Sequence, residues 1–176
     1  MAFDATRTLR GALAGAAAAA VWAAQQPLDK RVFGTDYDDA ELLGRLTRVR
    51  APATQPVGLA LHLANGAAFG AVYANLAPSL PGPGAVRGAA AGLAEHLATW
   101  PSTIVIDRLS LRGMPKLWGD PRAFAQATWR HLLFGTVLGE LERRLNPPEA
   151  EPEPIDAAAA ASNGHGSAEH LVATGP

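Results

Sequence analysis

The chain has 176 residues and a net charge of -1, which allows one ordinary domain and gives no global electrostatic case for a nucleic-acid partner. Cysteine is absent, so disulfides, thiolate metal sites and a cysteine nucleophile are excluded. A mean hydropathy of +0.05 averages four apolar stretches against a charged loop and a polar tail, so the local pattern decides.

Taken in chain order, the apolar stretches centre on Gly11–Ala24, Val57–Ala77, Gly88–Ile106 and Ala123–Gly139. A membrane span needs roughly 17–25 mostly apolar residues; the middle two qualify, and the outer two do so when extended into flanks whose arginines can snorkel. The expected fold is all-α, an integral membrane bundle of about four transmembrane helices. Its spans are 8–26, 57–77, 86–106 and 123–143, within a helical domain of residues 1–146. Gly11–Ala24 also has the basic flank and short apolar core of a signal peptide, but its glycine spacing and the Trp22/Gln25/Gln26 end favour a retained helix.

The glycines argue for lipid more strongly than hydropathy does. GxxxG spacing recurs at Gly11/Gly15, Gly66/Gly70, Gly84/Gly88/Gly92 and Gly135/Gly139. An interior glycine costs roughly 1 kcal/mol in a soluble helix, whereas in a bilayer this spacing lets helix backbones approach closely. An outward-facing GxxxG would also support a homo-oligomer.

The first loop, Asp29–Gln55, carries acids and then arginines around Leu42, Leu43, Leu46 and Val49. This predicts a short amphipathic helix, capped within Asp36–Asp39, that lies at the membrane interface or caps the bundle. Pro78–Pro83 predicts a tight turn, and the third loop, Asp107–Arg122, is basic with Trp118 at the interface. Residues 147–176 read as a disordered tail in which His165 and His170 have no role. Lysine and arginine are more numerous in loops one and three, which puts those loops in the cytoplasm and both termini outside.

Intramembrane polar residues are the default place to look for function. His62, Asn65 and Tyr73 share one face of the second helix; Glu95 and Thr99 share a stripe of the third beside His96; Arg130 and His131 lie in the fourth, one turn after Gln126. At about 1.5 Å per residue, His62 and Asn65 lie roughly 9–13 Å from the loop-one end, and the groups of helices three and four lie roughly 10–17 Å from the loop-three end. Antiparallel helices therefore bring them into one layer in the half of the bilayer facing those loops. His62, Glu95, His96 and His131 form a ligand set suited to zinc or iron, as a metal-dependent membrane enzyme would use, although no HExxH-type motif supports it. Bridging of helices by hydrogen bonds and a proton or small-solute pathway are the other readings. Glu95 needs a partner in apolar surroundings, and Arg130 is the expected one, directly or through His131. GxSxG, P-loop and dinucleotide fingerprints are absent, so no catalytic residue is assigned.

At these histidines the chain resembles the YagU-like bacterial inner-membrane proteins, a family without an established biochemical activity. The matching pieces are His62-x10-Tyr73, then Gly84-x3-Gly88-x7-His96-x4-Pro101, then His131-Leu132 followed by Glu140 and Arg143-Arg144. The arginine pair is displaced by one residue, and the acidic first loop and the tail are peculiar to this chain. The resemblance implies a multi-pass protein of the bacterial cytoplasmic membrane and points to His62, Tyr73, His96 and His131; it supplies no reaction.

Overall fold

A computed structural model describes residues 4–109, 111 and 113–147. Among the described residues there are six α-helices and no strand: α1 (Ala5–Phe33), α2 (Asp39–Leu46), α3 (Thr54–Leu76), α4 (Gly84–Thr99), α5 (Thr103–Arg108) and α6 (Pro121–Leu145). The tail read as disordered, with its two histidines, lies outside the described residues apart from Pro147.

The glycine motifs build the bundle in two antiparallel pairs. On α1, Gly11 and Gly15 meet Gly70 and Gly66 of α3; on α4, Gly84, Gly88 and Gly92 meet Gly139, Gly135 and the backbone of His131 on α6. A methyl group at Gly15 would collide with the Gly66 carbonyl oxygen, and one at Gly135 with that of Gly88, so backbone lies directly on backbone. With every one of these glycines engaged inside the chain, no motif among the described residues faces outward for the expected contact between copies. α1 packs on α6 and joins the pairs, whereas α3 and α4 do not pack against each other along their lengths. Ala14, Ala18, Ala19, Trp22, Tyr73, Phe134 and Leu138 fill the centre.

Two helix limits differ from expectation. α1 continues through Pro27 to Phe33, where Gly34 ends it in the left-handed conformation (φ 64°), so Asp29 belongs to a helix and not to the first loop. Pro27 is exposed and removes one helical hydrogen bond, while buried Asp29, bonded to Gln126 and Arg130, anchors the last turns to the rest of the protein. The third apolar stretch, expected as one span over 86–106, is interrupted: a 3-10 turn at Trp100–Ser102, containing Pro101, separates α4 from the six-residue α5.

The first-loop helix takes the second of its two expected positions. Asp38 caps α2 by accepting from the Glu41 N–H at 2.9 Å, and Arg45 pairs with Glu41 one turn on. Gly44 and Gly58 let α2 sit against the start of α3 with their neighbours' carbonyls in contact, so α2 closes one end of the bundle. Leu42 is buried there with Leu117 and Ala123, while Leu46 and Val49 stay exposed. The third loop is held at that end by Asp107, whose carboxylate accepts from the N–H groups of Leu117 (2.9 Å) and Trp118 (2.8 Å). At the opposite end Arg7 bonds to Glu142 at 3.0 Å and ties the starts of α1 and the finish of α6 together.

Thr54–Ser79, comprising α3 and the turn after it, is long and apolar enough to cross a membrane; it alone among the described residues meets that test of length and composition.

Candidate functional site

α6 places Gln126 and Arg130 one turn apart on the face that meets α1 and α2. The Arg130 guanidinium is fully buried and grips Asp29 with two bonds of 2.6 Å, from Nε and Nη2. Nη1 donates to Asp39 at 2.6 Å, and Nη2 also reaches the Tyr37 carbonyl at 3.0 Å. The two acids are satisfied from other directions. Gln25 and Gln126 donate their amides to Asp29, and the Trp22 indole and Tyr37 hydroxyl donate to Asp39. A planar fork with donors fixed in direction suits two carboxylates arriving from two elements, α1 and the first residue of α2. Burial, and then the adjacent Asp39 carboxylate, push the Tyr37 phenol well above its usual range, so it stays a donor. Next to it burial opposes the charged form of Asp38, but Lys30 at 2.6 Å and the Glu41 N–H outweigh that and hold its carboxyl below its ordinary value.

One turn further into the bundle the histidines converge around Trp22. Its ring lies edge-on between His62 (centroids 5.0 Å) and His131 (4.8 Å), and His96 is 4.7 Å from His131. His62 Nε2 donates to the Ala19 carbonyl at 3.2 Å. His131 donates from Nδ1 to the Ala127 carbonyl at 2.7 Å, which leaves Nε2 facing Glu95 Oε2 at 2.8 Å. Those two groups share one proton between them, as carboxylate and imidazolium or as acid and imidazole. Thr128 gives its hydroxyl proton to the Phe124 carbonyl, so it accepts from His96 Nε2 at 3.0 Å.

The expected Glu95–Arg130 contact is therefore replaced by Glu95–His131. Successive helical residues point about 100° apart, so when His131 faces α4 its neighbour Arg130 faces α1 and α2. The acids that Arg130 does meet, Asp29 and Asp39, fall within the expected first loop, Asp29–Gln55, and lie in the structure in α1 and at the start of α2. A signal for Asp29 was present: it follows Trp22 by seven residues and Gln25 by four, on one helical face. Asp39 had none, because its approach depends on how α2 packs.

A cavity of about 300 Å³ opens beside this cluster, in the gap that α3 and α4 leave between them. Trp22 and Asp39 line it with His62, Asn65 and Phe69 of α3, with Glu95, His96 and Thr99 of α4, and with His131 and Phe134 of α6; Leu43 and Leu46 of α2 and Trp100 and Thr103 close its end. Six of the expected polar residues (His62, Asn65, Glu95, His96, Thr99 and His131) thus border one space, with Arg130 behind its wall. Tyr73 is buried three turns along α3 from His62, away from the cavity, and its hydroxyl has no partner among the described residues. No group of three or more His, Asp or Glu among the described residues is placed to hold an ion, and each histidine already has a ring nitrogen bonded to protein.

Comparison of the chain with protein-family models, with curated proteins and with solved structures gives no match.

Proposed function

We propose that α1, α3, α4 and α6 cross a bilayer and that the protein binds a small solute in the cavity between α3 and α4, acting as a carrier or receptor for it and not as a catalyst. The observation that carries this reading is the inversion of polarity across the bundle. Arg130, His96, Gln126, Glu142 and Asp29 are among its most completely buried side chains, while Leu9, Leu13, Leu28, Val32, Val72, Val86, Leu97 and Trp129 stand on the outside at 46–70 % exposure. Water would favour the reverse, with the large apolar groups inside and the charges on the surface. In lipid the outer face needs no covering, and the inner charges are held by Arg130 lying against Asp29 and Asp39 and by Arg7 against Glu142. Helix length agrees for α1, α3 and α6, which reach about 44, 35 and 38 Å at about 1.5 Å per residue against a hydrocarbon core of about 30 Å; α4, of 16 residues, reaches about 24 Å and completes a crossing only together with the bend and α5 that follow it. Among the described residues only α3 is long and apolar enough by itself: α1 is diluted by alanine, glycine, Trp22, Gln25 and Gln26, α6 by Gln126, Arg130 and His131, and α4 is short; the Asp29 and Arg130 charges meet each other.

The likeness to YagU-like proteins at His62, Tyr73, His96 and His131 supports the same setting, the bacterial inner membrane. A purely structural cluster would leave no space between the helices, and the cavity is what favours a solute. The reading is tested by washing membranes from expressing cells with alkaline carbonate and then urea. The full chain is expected to stay in the pellet; its release into the supernatant would refute the membrane assignment.

A further inference from the structure

The cavity has a composition that selects among solutes. Its volume of about 300 Å³ corresponds to on the order of ten waters at about 30 Å³ each, the lower end of the range for small-molecule pockets. Much of its wall is aromatic. Phe69 packs on Phe134 and Phe134 on Trp22, while His96 packs on Trp100, with ring planes at 60–69° to one another. Trp22 and Phe134 are held almost fully buried by these edge-to-face contacts, so the aromatic wall is fixed in place.

Charge points the same way. Counted at formal charge, the carboxylates in and behind the wall are Asp29, Asp39 and Glu95, against the single guanidinium of Arg130. Even with His131 protonated the set retains an excess of one negative charge, and no lysine or arginine among the described residues lines the cavity. An uncompensated charge inside a low-dielectric bundle is costly, and a cation in the cavity would offset it. Of the two lining carboxylates, Asp39 is spoken for by Arg130, Trp22 and Tyr37. Glu95 has His131 on one oxygen and about a third of its side chain open (35 %). Aromatic rings with a carboxylate at hand are the combination that holds alkylammonium groups; an anion would add to the excess of negative charge and a neutral solute would leave it unbalanced.

We propose that the cavity between α3 and α4 is a binding site for a small organic cation, an amine or quaternary ammonium compound, with Glu95 as its counter-ion and Trp22, Phe69, Trp100 and Phe134 as its cage. This rests on the reading of the cavity as a solute site.

The test uses the full chain in detergent, with benzyltrimethylammonium and its uncharged carbon analogue neopentylbenzene as probes. Binding is followed by tryptophan fluorescence in the wild type and in Glu95→Gln. The amide keeps the size of the side chain and a bond to His131 while removing the charge, and the melting midpoint of the variant establishes that it is folded. The expected result is saturable binding of the cation that weakens at least tenfold in Glu95→Gln, with the neutral analogue equal in both proteins. Partitioning into detergent cancels, because it is the same for both proteins. Equal binding of the two probes, unaffected by the substitution, would overturn the cation and leave the solute site standing. Binding of neither would overturn both, while retention in carbonate-washed membranes would still uphold the membrane assignment.

Discussion

Arg130 is the residue on which the polar interior depends, because it is the one cation facing two buried acids. Removing one partner of a buried pair leaves the other without compensation and costs about 3–5 kcal/mol. Arg130→Met is therefore expected to lose about that much stability, read from unfolding in detergent. Adding Asp29→Asn and Asp39→Asn to it should recover part of the loss, because the stranded charges go with them. If Arg130→Met unfolds like the wild type, the trio contributes nothing to the fold. At this scale the sequence was informative about which residues gather and poor on which of them touch. Helical rise and the 3.6-residue period place His62, Glu95, His96 and His131 in one layer, since both are fixed by backbone geometry. The pairing of Arg130 turns on rotation about the α6 axis and on α1 running past Pro27, and neither follows from spacing along one helix.

At the scale of elements, the two helix pairs are set by glycine. Where backbone meets backbone there is no flexible side chain to move aside, so a larger residue must push the helices apart. Gly66→Leu in the α1/α3 contact and Gly135→Leu in the α4/α6 contact are each expected to cost about 1–3 kcal/mol or more. Val72→Ala, on the exposed face of α3, should cost little, and resistance to denaturation in detergent compares the three. If the glycine variants behave like Val72→Ala, the close contacts are not what holds the pairs. These contacts were legible because the small-xxx-small pattern is itself the contact surface. The prolines were less so. Pro27 sits on an exposed side with anchored turns around it and is absorbed, whereas Pro101 follows the last turn of α4 and ends it. A proline's local chemistry is the same in both places, and the surrounding packing decides the outcome.

At the scale of the whole molecule, the proposed membrane setting rests on polar side chains buried inside the bundle and large apolar side chains exposed outside it. The α2 cap, the α4–α5 bend and the basic third loop lie at one end of the bundle, and the Pro78–Pro83 turn lies at the other. The four apolar stretches were visible in the sequence as candidate spans; the inversion was not, because it needs the burial of each side chain. Its most direct test exploits the absence of cysteine. Single cysteines at the exposed positions Thr47, Ser79 and Lys116 can be labelled in intact cells with a membrane-impermeant thiol reagent, and again after the cells are opened. The expected result is that Thr47→Cys and Lys116→Cys react on one side of the membrane and Ser79→Cys on the other. Labelling of all three from the same side would contradict the four-helix crossing.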